Sequence, residues 1–496
     1  MSEAYERLEE KSRKLTNLTE IIEDLHWDQE VMMPKKGVTA RSQELSTISG
    51  LRHQLLVSEE LADAIDSLEQ EELEEGQEAV LREISREHRR AREVPQELVE
   101  KISETSSRCL DTWKEAREED DFEKVAADLS ELVDLKRRYA NAIDPDEEPY
   151  RVLFKDYEPY IEFETMERIL ENLKEELVEL VDEIRDSDPD IETGALKKNI
   201  ESERQMEISR SVVDRMGYDW ERGRFDTSAH PFTSGNQYDC RITTRFSEDN
   251  LAEGLMASIH ECGHALYELG LPREKYGTPL GASRDLSVHE SQSRLWENHV
   301  GRSRAFWSYL LPELKEKTEG FEDVTFRDCY ESINQVKEGN LIRIEADELT
   351  YHLHIILRFE LERRLVNGEI EVEELPELWN QKMEEYLGLT PDTDADGVMQ
   401  DIHWYQGSIG YFPTYSLGSV LAAQIFRSAE EEVEGLDEKI EDGDFEPLLE
   451  WLRENVHRHG QFYRTEELVE KATGEKPTAD YFLEYVKDKY GELYGL

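Results

Sequence analysis

The chain has 496 residues, of which 38% are hydrophobic and 35% are charged, and its formal net charge is −57 because 116 acidic residues face 59 basic ones. A chain of this length can bury a large core without disulfides, so the charged excess is expected on an extensive solvated surface. The dispersed negative charge argues against nucleic acid and anionic membrane surfaces as partners, since no cluster of Lys and Arg interrupts it.

The size of the negative charge also indicates the solution in which the protein works. Self-repulsion destabilises a compact state unless counterions screen it, so we interpret the acidity as halophilic adaptation. There are two alternatives: the negative charge creates an electric field that excludes acidic substrates, or it serves solubility alone. The sequence contains no apolar signal region and no apolar run of 18 residues, which predicts a soluble, cytoplasmic protein.

Helical periodicity dominates the chain from its start. Apolar residues recur at three and four positions over residues 5–142 and again over 164–216. Residues 217–246 are instead rich in Gly, Pro, Thr and aromatics, and 238–246 alternate enough to predict one or two short strands. Helical patterns return over residues 251–269, 285–314, 341–366 and 372–387, and from 415 to the C-terminus.

These patterns predict a mainly α protein with one small β-sheet. No fixed-period repeat and no low-complexity linker divides the chain, so we expect a single domain over residues 1–496. Within it, residues 1–215 are expected to be mostly scaffold helices, 217–420 to carry the catalytic motifs, and 421–496 to form C-terminal helices.

The segment His260-Glu261-Cys262-Gly263-His264 lies inside the helical pattern of residues 251–269. Four residues advance an α-helix by about 400°, so both imidazoles project from one face, about 6 Å apart along the axis. This suits two ligands of one zinc ion, with Glu261 free to act as the general base. A solvated helical face is the alternative, but apolar neighbours such as Ile259 and Leu266 place the helix in the interior, where unpaired histidines are costly.

A catalytic zinc usually takes a third protein ligand and leaves its fourth position to water. No third histidine follows six residues after His264, which favours a carboxylate on a later helix. Periodicity makes Glu290 the first candidate and Glu297, about two turns further along the same face, the second. The sequence also leaves three other candidates open: Glu268, His289 and His299.

An ordered series of short motifs surrounds these residues along the chain. They are His230-Pro231-Phe232; Asp239-Cys240-Arg241-Ile242-Thr243; His260-Glu261-Cys262-Gly263-His264; His289-Glu290-Ser291-Gln292; Ile342-Arg343-Ile344-Glu345-Ala346-Asp347; Gly397-Val398-Met399-Gln400-Asp401-Ile402-His403-Trp404; and Gly410-Tyr411-Phe412-Pro413-Thr414-Tyr415. The series resembles the carboxypeptidase Taq family of zinc metallocarboxypeptidases. Trp27-Asp28-Gln29 and Met33-Pro34 extend the resemblance over nearly the whole chain.

The resemblance implies a fold and an activity. The fold is a single, largely helical domain around a long substrate groove, commonly assembled as a homodimer. The activity is stepwise release of C-terminal residues from peptides with broad specificity, usually excluding proline. Carried over by position, the family's ligands of Zn²⁺, which Co²⁺ can replace, are His260, His264 and Glu290, and its general base is Glu261.

The resemblance also suggests residues that bind substrate. Arg343 matches the residue that holds the terminal carboxylate, a task for which a guanidinium fork is well shaped. The structural alternative is an internal salt bridge from Arg343 to Glu345 or Asp347. Arg241 and His230 would shape the cleft or serve the structure alone.

Three further side chains are expected on the opposite side of the cleft: His403, Tyr411 and Tyr415. Their N–H and O–H groups could stabilise the oxyanion that forms during attack, and the sequence leaves open which of them does so. Ordinary aromatic packing with satisfied polar ends is the alternative for each.

The predicted function is therefore a zinc-dependent carboxypeptidase. An oligoendopeptidase or dipeptidyl carboxypeptidase is the alternative within the same chemistry, and the size of the products distinguishes them. A non-catalytic, metal-containing scaffold that binds peptides is the alternative from another class. Such a scaffold would be expected to lose the base, whereas Glu261 is present.

Overall fold

The computed structural model describes residues 2–187, 191–337 and 339–496. Within these ranges the chain forms one helical domain, as the periodicity predicted. None of its helices combines the length and apolar character that a membrane span requires. The helices are α1 (Glu3–Val31), α2 (Val38–Leu56), α3 (Glu59–Leu68), α4 (Glu75–Glu93), α5 (Gln96–Glu119), α6 (Glu123–Ile143), α7 (Pro149–Phe154), α8 (Phe163–Asp186), α9 (Ser202–Arg215), α10 (Leu251–Gly270), α11 (Leu286–Arg294), α12 (Arg304–Lys317), α13 (Phe326–Asn334), α14 (Thr350–Val366), α15 (Leu375–Leu387), α16 (Pro413–Glu432), α17 (Leu436–Glu441), α18 (Glu446–Asn455), α19 (Thr465–Thr473) and α20 (Asp480–Tyr494).

A small three-stranded sheet lies between α9 and α10 in the chain. Its strands are β1 (Phe225–Thr227), β2 (Thr233–Gly235) and β3 (Cys240–Thr244), and β3 is central, parallel to β1 and antiparallel to β2. Only β3 falls in the stretch whose alternation predicted strands, because the other two are three residues long and too short to alternate visibly.

Two large apolar clusters form the core, and α16 contributes to both. One cluster gathers side chains from α5, α6, α8, α14 and α20, and the other gathers them from α9, α10, α12 and α18. Leu417 and Val420 of α16 belong to the first cluster, whereas Leu421 and Ile425 belong to the second. Because α11 packs along α16, it lies where the two clusters meet.

Two glycines allow α11 to approach its neighbours closely. A Cβ on Gly263 of α10 would lie 2.7 Å from the Gln292 carbonyl oxygen, and one on Gly418 of α16 would lie 2.4 Å from Cγ of Glu290. Both separations are shorter than any ordinary contact, so a larger residue would push α11 away. The two glycines therefore hold Glu290 against the helix that carries the histidines.

The helix predicted over residues 285–314 is interrupted in the structure. After α11, residues Leu295–Gly301 form a π-helical turn, and α12 begins anew behind Ser303, whose hydroxyl accepts from Phe306 N–H at 3.1 Å. The helix predicted over 341–366 also begins later than expected. The Asp347 carboxylate accepts the N–H of Thr350 at 3.0 Å and so starts α14 there.

Candidate active site

Three of the predicted ligands meet in one cluster. His260 and His264 lie on α10, and Glu290 on α11 carries the carboxylate between them. Oε2 of Glu290 is 3.7 Å from Nε2 of His260 and 3.4 Å from Nε2 of His264, and the three ligand atoms all lie within 4.8 Å of one another. Two imidazoles and one carboxylate form a donor set found at catalytic zinc sites, so these residues fit a divalent metal ion.

A second carboxylate contacts the ring nitrogen of His260 that faces away from the cluster. Nδ1 of His260 lies 2.9 Å from Oε2 of Glu297, which leaves Nε2 of the ring directed at the cluster. Glu297 also accepts from Arg294 and from Arg302, each at 3.1 Å. Glu297, the second candidate for the third ligand, therefore contacts the far side of His260 and lies outside the cluster of ligand atoms.

The charges at the cluster put two of the three side chains in a metal-binding form. At His260 burial lowers the pKa, but Glu290 and Glu297 outweigh that effect and raise it, so a metal ion must displace a proton there. Burial alone would raise the pKa of Glu290, but Arg294, whose Nε donates to Oε1 at 2.7 Å, and His260 hold that pKa well below its usual range. Burial lowers the pKa of His264 to about 3, so this imidazole is neutral. An ionised carboxylate and a neutral imidazole are the forms that bind a metal ion.

The other three ligand candidates lie outside the cluster. Nε2 of His289 is 2.9 Å from Oε1 of Glu268, and its ring stacks on His264 with 4.5 Å between centroids. His299 is buried and packs on Phe426, with centroids 5.0 Å apart. Of these side chains, His289 packs on a predicted ligand, His264, and Glu268 holds His289 by a hydrogen bond.

Glu261 is held by the small sheet. Thr233 of β2 donates its hydroxyl to Oε2 of Glu261 at 2.7 Å, and the same hydroxyl is 2.8 Å from the main-chain oxygen of Glu261. Burial raises the pKa of Glu261, and the charge of His260 partly opposes that effect. A carboxylate with a raised pKa next to a metal site is suited to move a proton. Thr233 directly follows one of the motifs, yet no sequence signal singled it out.

Arg343 is paired with Asp401, 58 positions away along the chain. Nε of Arg343 donates to both oxygens of Asp401 at 3.1 Å, and Nη2 donates to Oδ1 at 2.8 Å. Nη1 reaches the hydroxyl of Tyr351 at 3.2 Å. The internal salt bridge that the sequence suggested with Glu345 or Asp347 is made with Asp401 instead.

An aromatic group lies beside Arg343. The Tyr415 ring is 5.2 Å from Cζ of Arg343, the Tyr411 and Tyr415 centroids are 5.2 Å apart, and Nε2 of His403 is 3.4 Å from the hydroxyl of Tyr415. Burial lowers the pKa of His403 to about 4 and raises the pKa of Tyr411 to about 12. At neutral pH this group therefore offers neutral hydrogen-bond donors.

Arg241 and His230 have different surroundings from the other candidates. Arg241 donates to Asp239 at 2.9 Å, and its guanidinium lies 4.6 Å from the Trp27 ring of α1. Arg224 also lies over that ring, at 4.8 Å, so α1 contacts the sheet region through two arginines at Trp27. The side chain of His230 is exposed.

Comparison with known proteins identifies the family. The model of the carboxypeptidase Taq (M32) metallopeptidases matches residues 7–490. Thermostable carboxypeptidase 1 of Thermus thermophilus is 39% identical, and that of Pyrococcus furiosus is 38% identical, each over 99% of both chains. Carboxypeptidase 1 of Bacillus subtilis is 34% identical over 97% of both chains.

Solved structures agree with the sequence comparison. The M32 carboxypeptidase from Deinococcus radiodurans R1 superposes with a TM-score of 0.96, at 36% identity over 100% of both chains. Trypanosoma cruzi metallocarboxypeptidase 1 superposes with a TM-score of 0.94, at 34% identity over 98% of this chain and 99% of its own. The family implies a catalytic metal, and the cluster described above can hold one. The chain therefore belongs to the carboxypeptidase Taq (M32) metallopeptidase family and is a metallocarboxypeptidase.

Proposed function

We propose that this metallocarboxypeptidase uses Zn²⁺ to release single amino acids from the C-terminus of peptides. His260, His264 and Glu290 hold the ion, which Co²⁺ can replace. The observation that carries the proposal is the convergence of these three ligand atoms within 4.8 Å, with Glu261 beside the first of them.

The ion, Glu261 and Thr233 have separate roles in the proposed reaction. When bound, the ion supplies a Lewis acid that acidifies a water molecule and polarises the peptide carbonyl. Glu261 takes the proton from that water and gives it to the departing amine. The hydroxyl of Thr233, 2.7 Å from Oε2, keeps the Glu261 carboxylate oriented for both transfers.

Arg343 is proposed to bind the terminal carboxylate of the substrate. Asp401 occupies the edge of the guanidinium formed by Nε and Nη2. The hydroxyl of Tyr351 accepts from Nη1, which leaves one N–H on each of Nη1 and Nη2, and this pair matches a carboxylate in a two-point arrangement. Because this anchor binds only a free chain end, it favours removal of the last residue over cleavage inside the chain.

His403, Tyr411 and Tyr415 are proposed to stabilise the oxyanion. Each carries an N–H or O–H group and stays neutral at pH 7, so each can donate a hydrogen bond to developing negative charge. The sharing of a hydrogen bond between His403 and Tyr415, at 3.4 Å, indicates that these two side chains act together.

Mass spectrometry of peptide products tests the proposal. A peptide with a blocked N-terminus should lose one C-terminal residue at a time, a chelator should stop the reaction, and Zn²⁺ or Co²⁺ should restore it. Glu261→Gln should retain the metal and lose turnover. Dipeptide products or internal cuts would favour the dipeptidyl carboxypeptidase or oligoendopeptidase alternative, and an active, metal-loaded Glu261→Gln variant would refute the role of the base.

Three further parts of the proposal concern assembly, location and salt. We propose a homodimer because the resemblance to the carboxypeptidase Taq family implies one. We also propose a salt-rich cytoplasm as its setting, since a net charge of −57 needs counterion screening for the chain to remain compact. Sedimentation in molar salt would test the dimer, and thermal unfolding as a function of salt would test the halophilic adaptation. Full stability in dilute buffer would contradict that adaptation.

A further inference from the structure

A second arginine shares the carboxylate that pairs with Arg343. The side chain of Arg358 on α14 is 0% exposed, and its Nε donates to Oδ2 of Asp401 at 2.6 Å. Burial of an ionic group is expensive, and one arginine is sufficient to neutralise one carboxylate. The second buried arginine therefore needs an explanation beyond the neutralisation of Asp401.

The neighbouring titratable groups leave this positive charge in place. Glu362 lies one turn along α14 from Arg358, but its carboxylate accepts from Tyr150, Trp404 and the N–H of Gly410 and not from either arginine, and burial raises its pKa to about 8. Burial holds the pKa of His354 well below its usual range and lowers that of His403 to about 4. Since His354 and His403 are neutral and Glu362 is bound by other donors, the two arginines and the one carboxylate that they share, Asp401, sum to one net positive charge.

Aromatic rings hold both arginines in a medium of low polarity. Cζ of Arg358 lies 4.4 Å from the Trp379 ring, and the Phe412 ring is near both cations, 5.5 Å from Cζ of Arg358 and 5.7 Å from Cζ of Arg343. A guanidinium on an aromatic face is attracted to it even without water. In such surroundings the field of a charge reaches further than it does in solvent.

We propose that Arg358 offsets the charge of Asp401, so that Arg343 presents a net positive charge to the terminal carboxylate of the substrate. The inference rests on the proposed role of Arg343 as the anchor. Without Arg358, Arg343 and Asp401 form a neutral pair that attracts an incoming carboxylate only weakly. Arg358 contacts Asp401 and not the substrate, so it is a positioning residue that sets specificity for a free C-terminus.

The test separates charge from packing. The variants are Arg358→Met, which removes the charge, and Arg358→Lys, which keeps it. Arg363→Met is the control, because Arg363 lies on the same helix and pairs with Glu148, at 2.7 Å, away from Asp401. Each variant is assayed as the metal-loaded full chain for KM and kcat on an N-blocked peptide acid, and for the inhibition constant of the same peptide as its C-terminal amide.

Arg358→Met should raise KM for the peptide acid about tenfold and change kcat less than about twofold, because the carboxylate is bound equally in the ground and transition states. The inhibition constant of the uncharged amide should stay within about twofold. Arg358→Lys should recover most of the lost affinity, and Arg363→Met should match the parent enzyme.

Thermal unfolding and metal content show whether each variant is folded. Should Arg358→Met fail to fold, Arg358→Lys still tests the proposal, since a folded lysine variant with the tenfold rise in KM would overturn it. A parent-like KM in folded Arg358→Met, or equal losses for the acid and the amide, would also overturn it. Arg343→Met is measured alongside, and if it leaves the KM of the peptide acid unchanged, the proposed anchor itself is wrong.

Discussion

Glu297 should control metal affinity although it lies outside the proposed ligand set of His260, His264 and Glu290. Its carboxylate accepts from Nδ1 of His260 at 2.9 Å and pairs with Arg294 and Arg302 at 3.1 Å each. Glu297→Gln keeps the shape of the side chain and one acceptor oxygen, but it removes the negative charge that would make His260 a stronger metal ligand. It also places an amide group, in place of a carboxylate, next to Arg294 and Arg302.

The expected loss follows from the position of Glu297 behind a single ligand. Removal of such a partner lowers metal affinity about 10- to 100-fold, which corresponds to about 1.4–2.7 kcal/mol. Competition of the folded variant against a Zn²⁺-selective chelator measures this directly. With saturating Zn²⁺ most of the activity should return, because the proposed base and the proposed ligands are unchanged.

Glu268→Gln is the matched control. Glu268 also lies 2.9 Å from a histidine, but that histidine is His289, which is outside the ligand cluster. Its Zn²⁺ affinity should change less than about threefold. Equal affinity losses in the two variants would refute the reasoning, since they would show that any acidic residue near the site has the same effect.

Three further outcomes are expected. Gly418→Ala should lower stability by about 1–3 kcal/mol and weaken Zn²⁺ binding, because the new Cβ would lie 2.4 Å from Glu290 Cγ. Gly491→Ala is the control: its new Cβ would have no atom within 4 Å, so it should be neutral or stabilising in thermal unfolding. Thr233→Val removes the hydroxyl that donates to Glu261, so it should lower kcat about tenfold at unchanged Zn²⁺ content. Thr233→Ser keeps a hydroxyl and should retain activity. Equal kcat in the two variants would contradict the proposal that Thr233 positions Glu261. Burial lowers the pKa of His457 to about 3, so between pH 6.5 and pH 3 the unfolded chain binds a proton at this residue and the native state does not. The free energy of unfolding should therefore fall as the pH drops from about 6.5 to 3, by up to ~5 kcal/mol from this group. Urea unfolding of His457→Gln should show a shallower decline.

Local patterns in the sequence were sufficient to predict the helices and part of the candidate metal site. The 3.6-residue period predicted α10 to within one residue at its end, since its apolar and polar faces are a property of neighbouring positions. The same period placed His260 and His264 on one face, and the structure brings their Nε2 atoms to a common carboxylate. The π-helical turn after α11 was missed because its residues carry the same apolar spacing as an α-helix.

Contacts between distant segments determined which carboxylate faces the two histidines and which residue pairs with Arg343. Periodicity ranked Glu290 before Glu297 but put both on one helical face. The close packing of α11 at Gly263 and Gly418 directs Glu290 to both histidines, and Glu297 contacts the far side of His260. The pairing of Arg343 with Asp401 joins side chains 58 positions apart. A single sequence lists donors and acceptors but not their separations across the core, so tertiary structure alone decides which charges meet.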